Sequence, residues 1–296
     1  MICDVRPSLL GWLMTGRKTR ISRLGAVLIA AATLGGCGGI GLSRSEPDPT
    51  LAATSTNIAS LTEVVQRNPN DPQAYNVRGA VLGRAGRNEE ALADFNKAIS
   101  INPSFAQAYA NRGLVYRQIR KLELALADYN KALELDPSYS PAYLGRGMVY
   151  RQQGNAMQAL QDFNKAMELK PDNAQAYYNR GLLYQGQRQH QYAIDDFTTS
   201  ITLSPQQADP RVARAQSYLA MNDHQTAAND LDEAVQLDPQ NLQAWTTRGL
   251  AYERLGDKEK AAGSYAKGLI INKDYEPARK GFARVGGKPG QTYQPF

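Results

Sequence analysis

The chain has 296 residues, of which 42% are hydrophobic and 8% aromatic, with only 2 Cys and 2 His. So few cysteines exclude a disulfide-rich scaffold and a multi-cysteine zinc or iron–sulfur site. The net charge of +6 has the sign that favours nucleic-acid or anionic-membrane partners. Whether that argument holds depends on where the positive charges lie along the chain.

The first forty residues have the layout of an export signal. Four basic residues between 17 and 23 precede an apolar run at 24–34, which small residues follow. A basic segment, a short apolar core and small residues before a cleavage site are typical of a secretory signal peptide. About 20 residues are needed to span a bilayer as a helix, so the short run does not favour a permanent membrane span. Met14 is an alternative start to Met1.

The end of this segment, Leu34-Gly35-Gly36-Cys37, resembles the signal of bacterial lipoproteins. The resemblance implies cleavage after residue 36, lipid modification of Cys37 with palmitate-type acyl chains, and stable anchoring to a membrane. Gly38 is not the Asp that resembles an inner-membrane retention signal, which implies an outer-membrane lipoprotein facing the periplasm of a Gram-negative bacterium. A plain signal peptide with an incidental cysteine is the alternative.

Loss of the signal would change the charge argument. Residues 1–36 hold five of the 34 basic residues and one of the 28 acidic ones, which leaves 29 against 27, a net charge of +2. Nucleic acid is therefore not expected as a partner. Residues 37–57 are rich in Gly, Ser, Thr and Pro and are predicted to form a flexible tether behind the lipidated cysteine.

The rest of the chain carries a strict repeat. Proline recurs every 34 residues, at Pro69, Pro103, Pro137, Pro171, Pro205 and Pro239. This period indicates a tandem array rather than two separate domains. Six units follow from it, at 72–105, 106–139, 140–173, 174–207, 208–241 and 242–275.

Numbered from 1 to 34, the units share residue types at fixed positions. Position 4 is aromatic in five units, position 8 is Gly in five, position 20 is Ala in all six, and position 24 is aromatic in five. Positions 4, 8 and 11 fall on one face of a first helix, and positions 20, 24 and 27 on one face of a second. The pattern resembles the tetratricopeptide repeat (TPR), which implies an all-α fold, a right-handed α-solenoid of helix-turn-helix units.

The ends of the array and its fifth unit depart from the pattern. Residues 58–71 are predicted to form an N-terminal half-repeat helix, with Leu61 and Val64 at positions 24 and 27. Residues 276–285 are predicted to cap the other end, and 286–296 to be disordered. The fifth unit has Arg211 in place of the aromatic residue and Ala215 in place of Gly, so we expect it to be the least regular.

Arginine stands at position 7 of every unit, and aspartate at position 23 of five. A basic ladder could bind a ligand, but matched Arg and Asp periodicity favours ion pairs between neighbouring helices. Such partly exposed pairs are worth about 0–1 kcal/mol each and set the register of the stack more than its stability.

The TPR resemblance implies that the first helices line a concave groove and that positions 2, 5, 9, 12 and 13 meet a protein partner. The side chains there form an apolar floor with Gln and Arg at its edges, which suits a peptide or a partner helix. TPR domains that clamp a carboxylate with Lys, Asn and Arg at positions 5 and 9 are not matched here. The predicted groove residues are Asn76, Arg84, Leu114, Arg117, Leu144, Met148, Arg151, Tyr178, Leu182, Gln185, Gln216, Leu250 and Arg254.

No catalytic signature is found, and no cofactor or metal is expected. His190 and His224 fall at the inter-helix turns, away from any nucleophile arrangement, and the six units leave no room for a catalytic domain. The predicted function is a lipid-anchored periplasmic scaffold that binds protein partners. Its layout resembles lipoproteins of the NlpI type, adaptors for peptidoglycan-trimming enzymes, and alternatively pilotins, which assemble a pilus or secretion-system secretin.

A purely structural envelope protein is a third alternative. The sequence does not name the partner. The oligomeric state is also open, because pairing of two copies through the end helices into a homodimer is compatible with such an array.

Overall fold

The structure, a computed structural model, describes residues 49–288 and Tyr293, with side chains described from residue 57 onward. The predicted signal peptide, Cys37 and most of the predicted tether lie outside the described residues. The described part of the chain is all α-helical and contains no β-strand. None of its helices is both long and apolar enough to cross a membrane.

Twelve of the described helices form six antiparallel pairs, one pair in each predicted unit, and a further helix stands at each end. The helices are α1 Pro49–Arg67, α2 Pro72–Arg84, α3 Asn88–Ile101, α4 Ala106–Gln118, α5 Leu122–Leu135, α6 Ser140–Gln152, α7 Ala156–Leu169, α8 Ala174–Gly186, α9 His190–Leu203, α10 Asp209–Ala220, α11 His224–Leu237, α12 Leu242–Leu255, α13 Lys258–Ile271 and α14 Glu276–Arg284.

The helices stack into a solenoid with an inner and an outer layer. Each first helix packs against the second helix of its own unit and that of the preceding unit. Successive first helices also contact one another, whereas no two second helices within the described range do. Elements on the inside of a curve lie closer together than those on the outside, so the first helices line the concave surface. The predicted all-α solenoid is confirmed.

The turn inside each unit depends on position 15, where the backbone is left-handed in all six units. Glycine occupies it at Gly86, Gly154 and Gly256, whereas Arg120, Arg188 and Asn222 adopt the same conformation at φ of 58°, 61° and 62°. A left-handed residue lets the chain leave a helix while the last carbonyls remain hydrogen-bonded. The two arginines adopt it against the steric cost of their Cβ atoms.

The core is built where position 8 of the first helix meets position 24 of the second. A Cβ atom added at Gly181 would lie 2.6 Å from Cε1 of Phe197, so only glycine allows this approach. The fifth unit changes both positions together. Its buried Ala215 and Leu231 belong to one apolar cluster, because a leucine leaves room for the methyl group that a ring would exclude.

Arg211, the other irregularity of the fifth unit, is buried at the start of α10. Its Nη1 donates to the carbonyl oxygen of Pro205 at 2.8 Å, and its Nε donates to Glu233 at 2.9 Å. In the sixth unit the indole Nε1 of Trp245 donates to the carbonyl oxygen of Pro239 at 2.9 Å. The arginine therefore keeps the hydrogen bond to the preceding loop that an aromatic residue makes at the same position.

The N-terminal helix α1 begins at Pro49 and ends at Arg67, whereas 58–71 was predicted. The predicted flexible tether is therefore wrong over residues 49–57, which are helical. Ile58 and Val65 are buried, whereas Val64 is 43% exposed. Val64 would meet a first helix of its own unit, and no described helix lies on that side. α1 nevertheless occupies the place of a second helix, because Arg78 Nη1 of the next unit donates to Thr62 Oγ1 at 3.4 Å.

At the other end, α14 covers the sixth unit with buried Ala278 and Phe282. The Tyr293 ring packs edge-on against Phe282, with 5.7 Å between centroids, and its hydroxyl accepts a hydrogen bond from the Lys288 amide at 2.7 Å. The predicted disorder of 286–296 therefore does not extend to 286–288 or Tyr293, because an aromatic ring can cover the exposed edge of Phe282. The remaining tail lies outside the described residues.

Candidate functional site

Two columns of arginine side chains run along the first helices. We call the position-7 residues the ladder arginines; they are Arg78, Arg112, Arg146, Arg180, Arg214 and Arg248. We call Arg117 and Arg151, which stand at position 12 of the second and third units, the groove arginines. The surroundings of the two columns decide which of them is available to a ligand.

The ladder arginines are fully engaged inside the stack. In the third unit, Arg146 Nε and Nη2 each donate to Asp162 at 2.8 Å, and Nη1 donates to Asn130 of the preceding unit at 2.7 Å. The guanidinium also lies 5.6 Å from the ring of Tyr143 and 6.0 Å from that of Tyr150. One side chain thus joins three helices, and the predicted ion pairs between helices are present.

The sixth unit keeps this arrangement although Ser264 replaces the aspartate. Arg248 Nε donates to Asp232 of the preceding unit at 2.6 Å, and its Nη1 donates to Ser264 at 2.7 Å. Asp232 stands at position 25, where the first three units carry Asn and the fourth carries Thr198. The carboxylate that binds Arg248 therefore comes from the preceding unit. Asp232 also accepts a hydrogen bond from the Tyr252 hydroxyl at 2.7 Å. Burial, together with this carboxylate, raises the pKa of Tyr252 to about 12.

The predicted groove residues all lie on first helices, and their exposure divides them into three sets. The exposed set is Arg84, Leu114 and Arg254; the half-buried set is Arg117, Leu144, Met148, Arg151, Tyr178, Leu182, Gln185, Gln216 and Leu250; Asn76 is buried. Asn76 accepts a hydrogen bond from Asn111 Nδ2 at 2.9 Å. Its side chain therefore joins two units and is not free for a partner, which corrects its assignment to the binding surface.

Gln185 is also engaged within the protein. Its Nε2 donates to the carbonyl oxygen of Ala213 at 2.7 Å and to Ser217 Oγ at 2.9 Å. This bond ties α8 to α10 where the fourth and fifth units meet. The Gln185 amide nitrogen therefore holds two units together, and only the rest of the side chain could meet a partner.

The apolar floor of the groove lies in the middle units. Leu144 and Met148 of α6 are partly buried against a cluster that contains Phe163 and Leu183. Tyr178 and Leu182 of α8 pack in the same manner, and the Tyr178 ring lies 5.9 Å from that of Phe197. These side chains present an apolar strip on the concave surface, of the kind that receives a peptide or an amphipathic helix.

The groove arginines border this strip without ionic partners. Nε of Arg117 and Nε of Arg151 are both buried and make no hydrogen bond within the described structure. Burial lowers the pKa of Arg151, and the positive charge of Arg117 acts in the same direction, while Tyr178 opposes it. Neither guanidinium forms an ion pair with a described side chain.

Tyr129 extends from the second helix of its unit toward Arg117. Burial raises the pKa of Tyr129 to about 12, while the positive charge of Arg117 and a hydrogen bond to it oppose the rise. The sequence prediction missed this residue. A signal was present, since a Cβ atom at Gly145 would overlap the Tyr129 ring. Gly145 stands at position 6 of the unit that follows Tyr129. The units that follow Phe95 and Phe163 carry Asn at the same position.

A tyrosine at position 24 also meets the residue at position 12 in the sixth unit, but there the charged residue has an ionic partner. Glu253, at position 12 of the sixth unit, accepts a hydrogen bond from Tyr265 at 2.7 Å. It also receives two hydrogen bonds from Arg284 of α14, each 2.8 Å long. Arg284 holds the pKa of the Glu253 carboxyl below its usual value. A cleft of about 470 Å³ beside this cluster is lined partly by the predicted residues Gln216 and Leu250.

The geometry offers no assembled catalytic centre among the described residues. His190 and His224 begin α9 and α11, and in each the Nδ1 atom is buried without a hydrogen-bond partner in the described structure. Within the same residues, no group of three or more His, Cys, Asp or Glu side chains is placed to hold a metal ion.

The fold and groove define a helical-repeat protein whose first helices form a concave surface. Family models of the TPR repeat and tetratricopeptide repeat match 84–119, 147–187, 106–139, 174–207, 128–161 and 212–277. These segments together span well over half of the chain. The chain therefore belongs to the tetratricopeptide repeat proteins, and this class supports a scaffold for protein–protein interaction. Among curated proteins, none matches the sequence significantly.

Solved structures share this fold at low sequence identity. The APC/C heterotetramer Cut9-Hcn1 matches at a TM-score of 0.71 and 18% identity over 78% of this chain, which spans only 46% of that chain. PilF of Pseudomonas aeruginosa matches at 0.65 and 22%, covering 72% of this chain and 97% of that one. YrrB, described as a TPR protein with an unusual peptide-binding site, matches at 0.51 and 27%, covering 63% and 96%.

Proposed function

We propose that this protein is a membrane-anchored scaffold that holds a peptide segment or helix of a partner protein in its concave groove. The observation that carries the proposal is the apolar strip of Leu144, Met148, Tyr178 and Leu182, which lies on the concave side and is only partly covered. The likeness to YrrB, whose description names a peptide-binding site, agrees with this use of the fold.

The groove is tested by the double variant Leu144→Glu with Tyr178→Ala. It removes the apolar strip, so we expect partner capture from an envelope extract to be lost while the circular dichroism spectrum stays helical. Met157→Glu is the matched control, because Met157 is 74% exposed on the second helix of the same unit. Unchanged capture by a folded groove variant would contradict the proposal.

The anchor is proposed from the sequence alone, since Cys37 lies outside the described residues. Lipidation of Cys37 would place the solenoid in the periplasm at the outer membrane, with the residues between Cys37 and α1 as the tether. Replacing Cys37 with Ser should release the protein from membranes in cell fractionation. Membrane association that persists in the Cys37→Ser variant would contradict the lipoprotein assignment.

For the pathway, we propose an adaptor that organises peptidoglycan-trimming enzymes, with pilotin-like assembly of a pilus or secretion-system secretin as the alternative. The similarity to PilF, at 22% identity, is one of fold and does not favour the second role. Mass spectrometry of the proteins captured by the wild type but not by the groove variant separates the alternatives. Hydrolases support the adaptor role, a secretin supports the pilotin role, and absence of any reproducible partner supports a purely structural one.

A further inference from the structure

The groove arginines form a local excess of positive charge that no described acidic residue compensates. Arg117 and Arg151 stand 34 residues apart, at the same position of α4 and α6, two helices that contact each other. Both Nε atoms are buried and make no hydrogen bond to a described group. A buried donor without a partner is unfavourable, and two adjacent guanidinium groups repel each other. The fold therefore retains at this point two buried Nε donors without a partner and two positive charges without an ion pair to a described acidic side chain.

Every other buried or half-buried arginine on the first helices has a partner. The ladder arginines pair with aspartate within 2.6–2.8 Å, and Arg211 pairs with Glu233. At position 12 of the sixth unit the charges are reversed, and Glu253 of α12 binds Arg284 of α14. The position-12 site is thus a place where this fold can form a carboxylate–guanidinium pair, and in units 2 and 3 the carboxylate is the missing member.

Hydroxyl groups and an accessible cleft complete the site. The Tyr129 hydroxyl interacts with Arg117, and Tyr178 adjoins Arg151. A cleft of about 380 Å³ opens beside Arg117 and is lined also by Gln118, Arg120, Leu122 and Gln152. The apolar side chains Leu144 and Met148 lie on α6, the helix that also carries Arg151. A bound peptide could therefore place an apolar residue on the strip and an acidic group at the arginines.

We propose that Arg117 and Arg151 bind a carboxylate of the partner peptide, from either an Asp or Glu side chain or the peptide C-terminus. The proposal rests on the proposed function, because it assumes that a peptide occupies the groove. It differs from a carboxylate clamp at positions 5 and 9, which here are apolar in the third unit. Guanidinium groups suit a carboxylate because their donors bind both oxygen atoms at once.

The test is a random-peptide display screen against the full chain purified in detergent. We expect the selected peptides to carry an acidic group at a fixed distance from an apolar residue. The double variant Arg117→Gln with Arg151→Gln should bind synthetic copies of these peptides about 10-fold or more weakly, because charge-assisted hydrogen bonds are lost. The affinity of the wild type should also fall as salt is added.

The matched control is Lys131→Gln with Lys165→Gln, which removes two positive charges from the same two units at exposed positions on second helices. Its affinity for the peptides should equal that of the wild type. Peptides synthesised with Gln in place of Glu, and peptides with an amidated C-terminus, identify which carboxylate is bound. Helical circular dichroism and the unfolding midpoint verify that each variant is folded.

The outcomes separate this proposal from the proposed function. If no peptide is selected by the wild type, groove binding itself is overturned. If peptides are selected without an acidic position, or bind the Arg117/Arg151 variant as tightly as the wild type, groove binding stands and the carboxylate site is overturned. Arg151→Gln alone serves as a second variant should the double variant fail to fold, with an intermediate loss of affinity expected.

Discussion

The ladder arginines and the groove arginines lie on the same helices, yet the protein uses them in opposite ways. Arg146 and Arg151 are five residues apart on α6. Arg146 binds Asp162, with 2.8 Å between nitrogen and oxygen, and lies between two tyrosine rings. Arg151 has a buried Nε with no described hydrogen-bond partner. The comparison shows that a repeat can assign one arginine to assembly and leave another, less than two turns away, for recognition.

The largest effect that would test this comparison is loss of a ladder arginine. Arg146→Met leaves the nearly buried carboxylate of Asp162 without a partner, so we expect the unfolding free energy to fall by about 3 kcal/mol. Urea unfolding followed by circular dichroism measures the loss. Lys165→Met, which removes an exposed ion pair with Glu168, should change it by less than about 0.5 kcal/mol. Equal losses in both variants would contradict a structural ladder.

The same substitution at the groove arginine should act in the opposite direction. Arg151→Met removes a buried donor without a partner and a charge that Arg117 repels, so stability should rise by up to about 1 kcal/mol. The unfolding midpoint in the same urea titration gives the sign. A destabilisation as large as that of Arg146→Met would show that Arg151 is a member of the assembly after all.

A third variant should give the groove arginines a carboxylate partner within the protein. Met148 stands at position 9, and the equivalent place in α14 holds Arg284, which binds position 12 of the preceding unit. Met148→Glu should therefore pair with Arg117 or Arg151, raise stability by about 0.5–1 kcal/mol, and block acidic peptides. Met148→Gln is the control. Isothermal titration with a selected peptide would show unchanged affinity for Met148→Glu if the arginines do not bind its carboxylate.

The smallest effect concerns the stability that the Glu253–Arg284 ion pair contributes, and its loss in acid. Arg284 lowers the pKa of the Glu253 carboxyl below its ordinary value of 4.5, so the contribution of the pair is complete above that pH. It is lost as the pH falls through the lowered folded-state pKa. The wild type should exceed Glu253→Gln by no more than about 1 kcal/mol at pH 7, since Arg284 is half exposed. Thermal melts at pH 7 and pH 3 should show that the difference in stability is smaller in acid.

Sequence reasoning predicted the regular parts of the molecule because each unit repeats the same residue pattern. Glycine or alanine at position 8 and a ring or leucine at position 24 match in size within one unit, so their contact can be read from a single repeat. The ladder follows in the same way from Arg at position 7 and Asp at position 23. Six copies of the pattern make this inference insensitive to the irregular fifth unit.

The binding surface was predicted less completely. Asn76 and Gln185 stand at positions typical of ligand contacts, but both are engaged by residues of the next unit. Tyr129 reaches Arg117 from a second helix, where no groove residue was sought. These contacts join side chains from different helices. Which side chains face each other depends on how each helix is rotated against its neighbours in the stack, and the repeat period alone does not give that rotation.

The sequence by itself thus determined the repeat, its helices, the core positions and the ion-pair ladder, because local periodicity and size matching are encoded within 34 residues. The tertiary structure decided which polar side chains have partners. Arg117 and Arg151 have no described acid beside them because of the neighbours that stacking brings to the concave surface. Glu253 and Arg284 meet because the terminal helix packs onto the last unit. The availability of a charge is a property of its surroundings, which the chain order does not show.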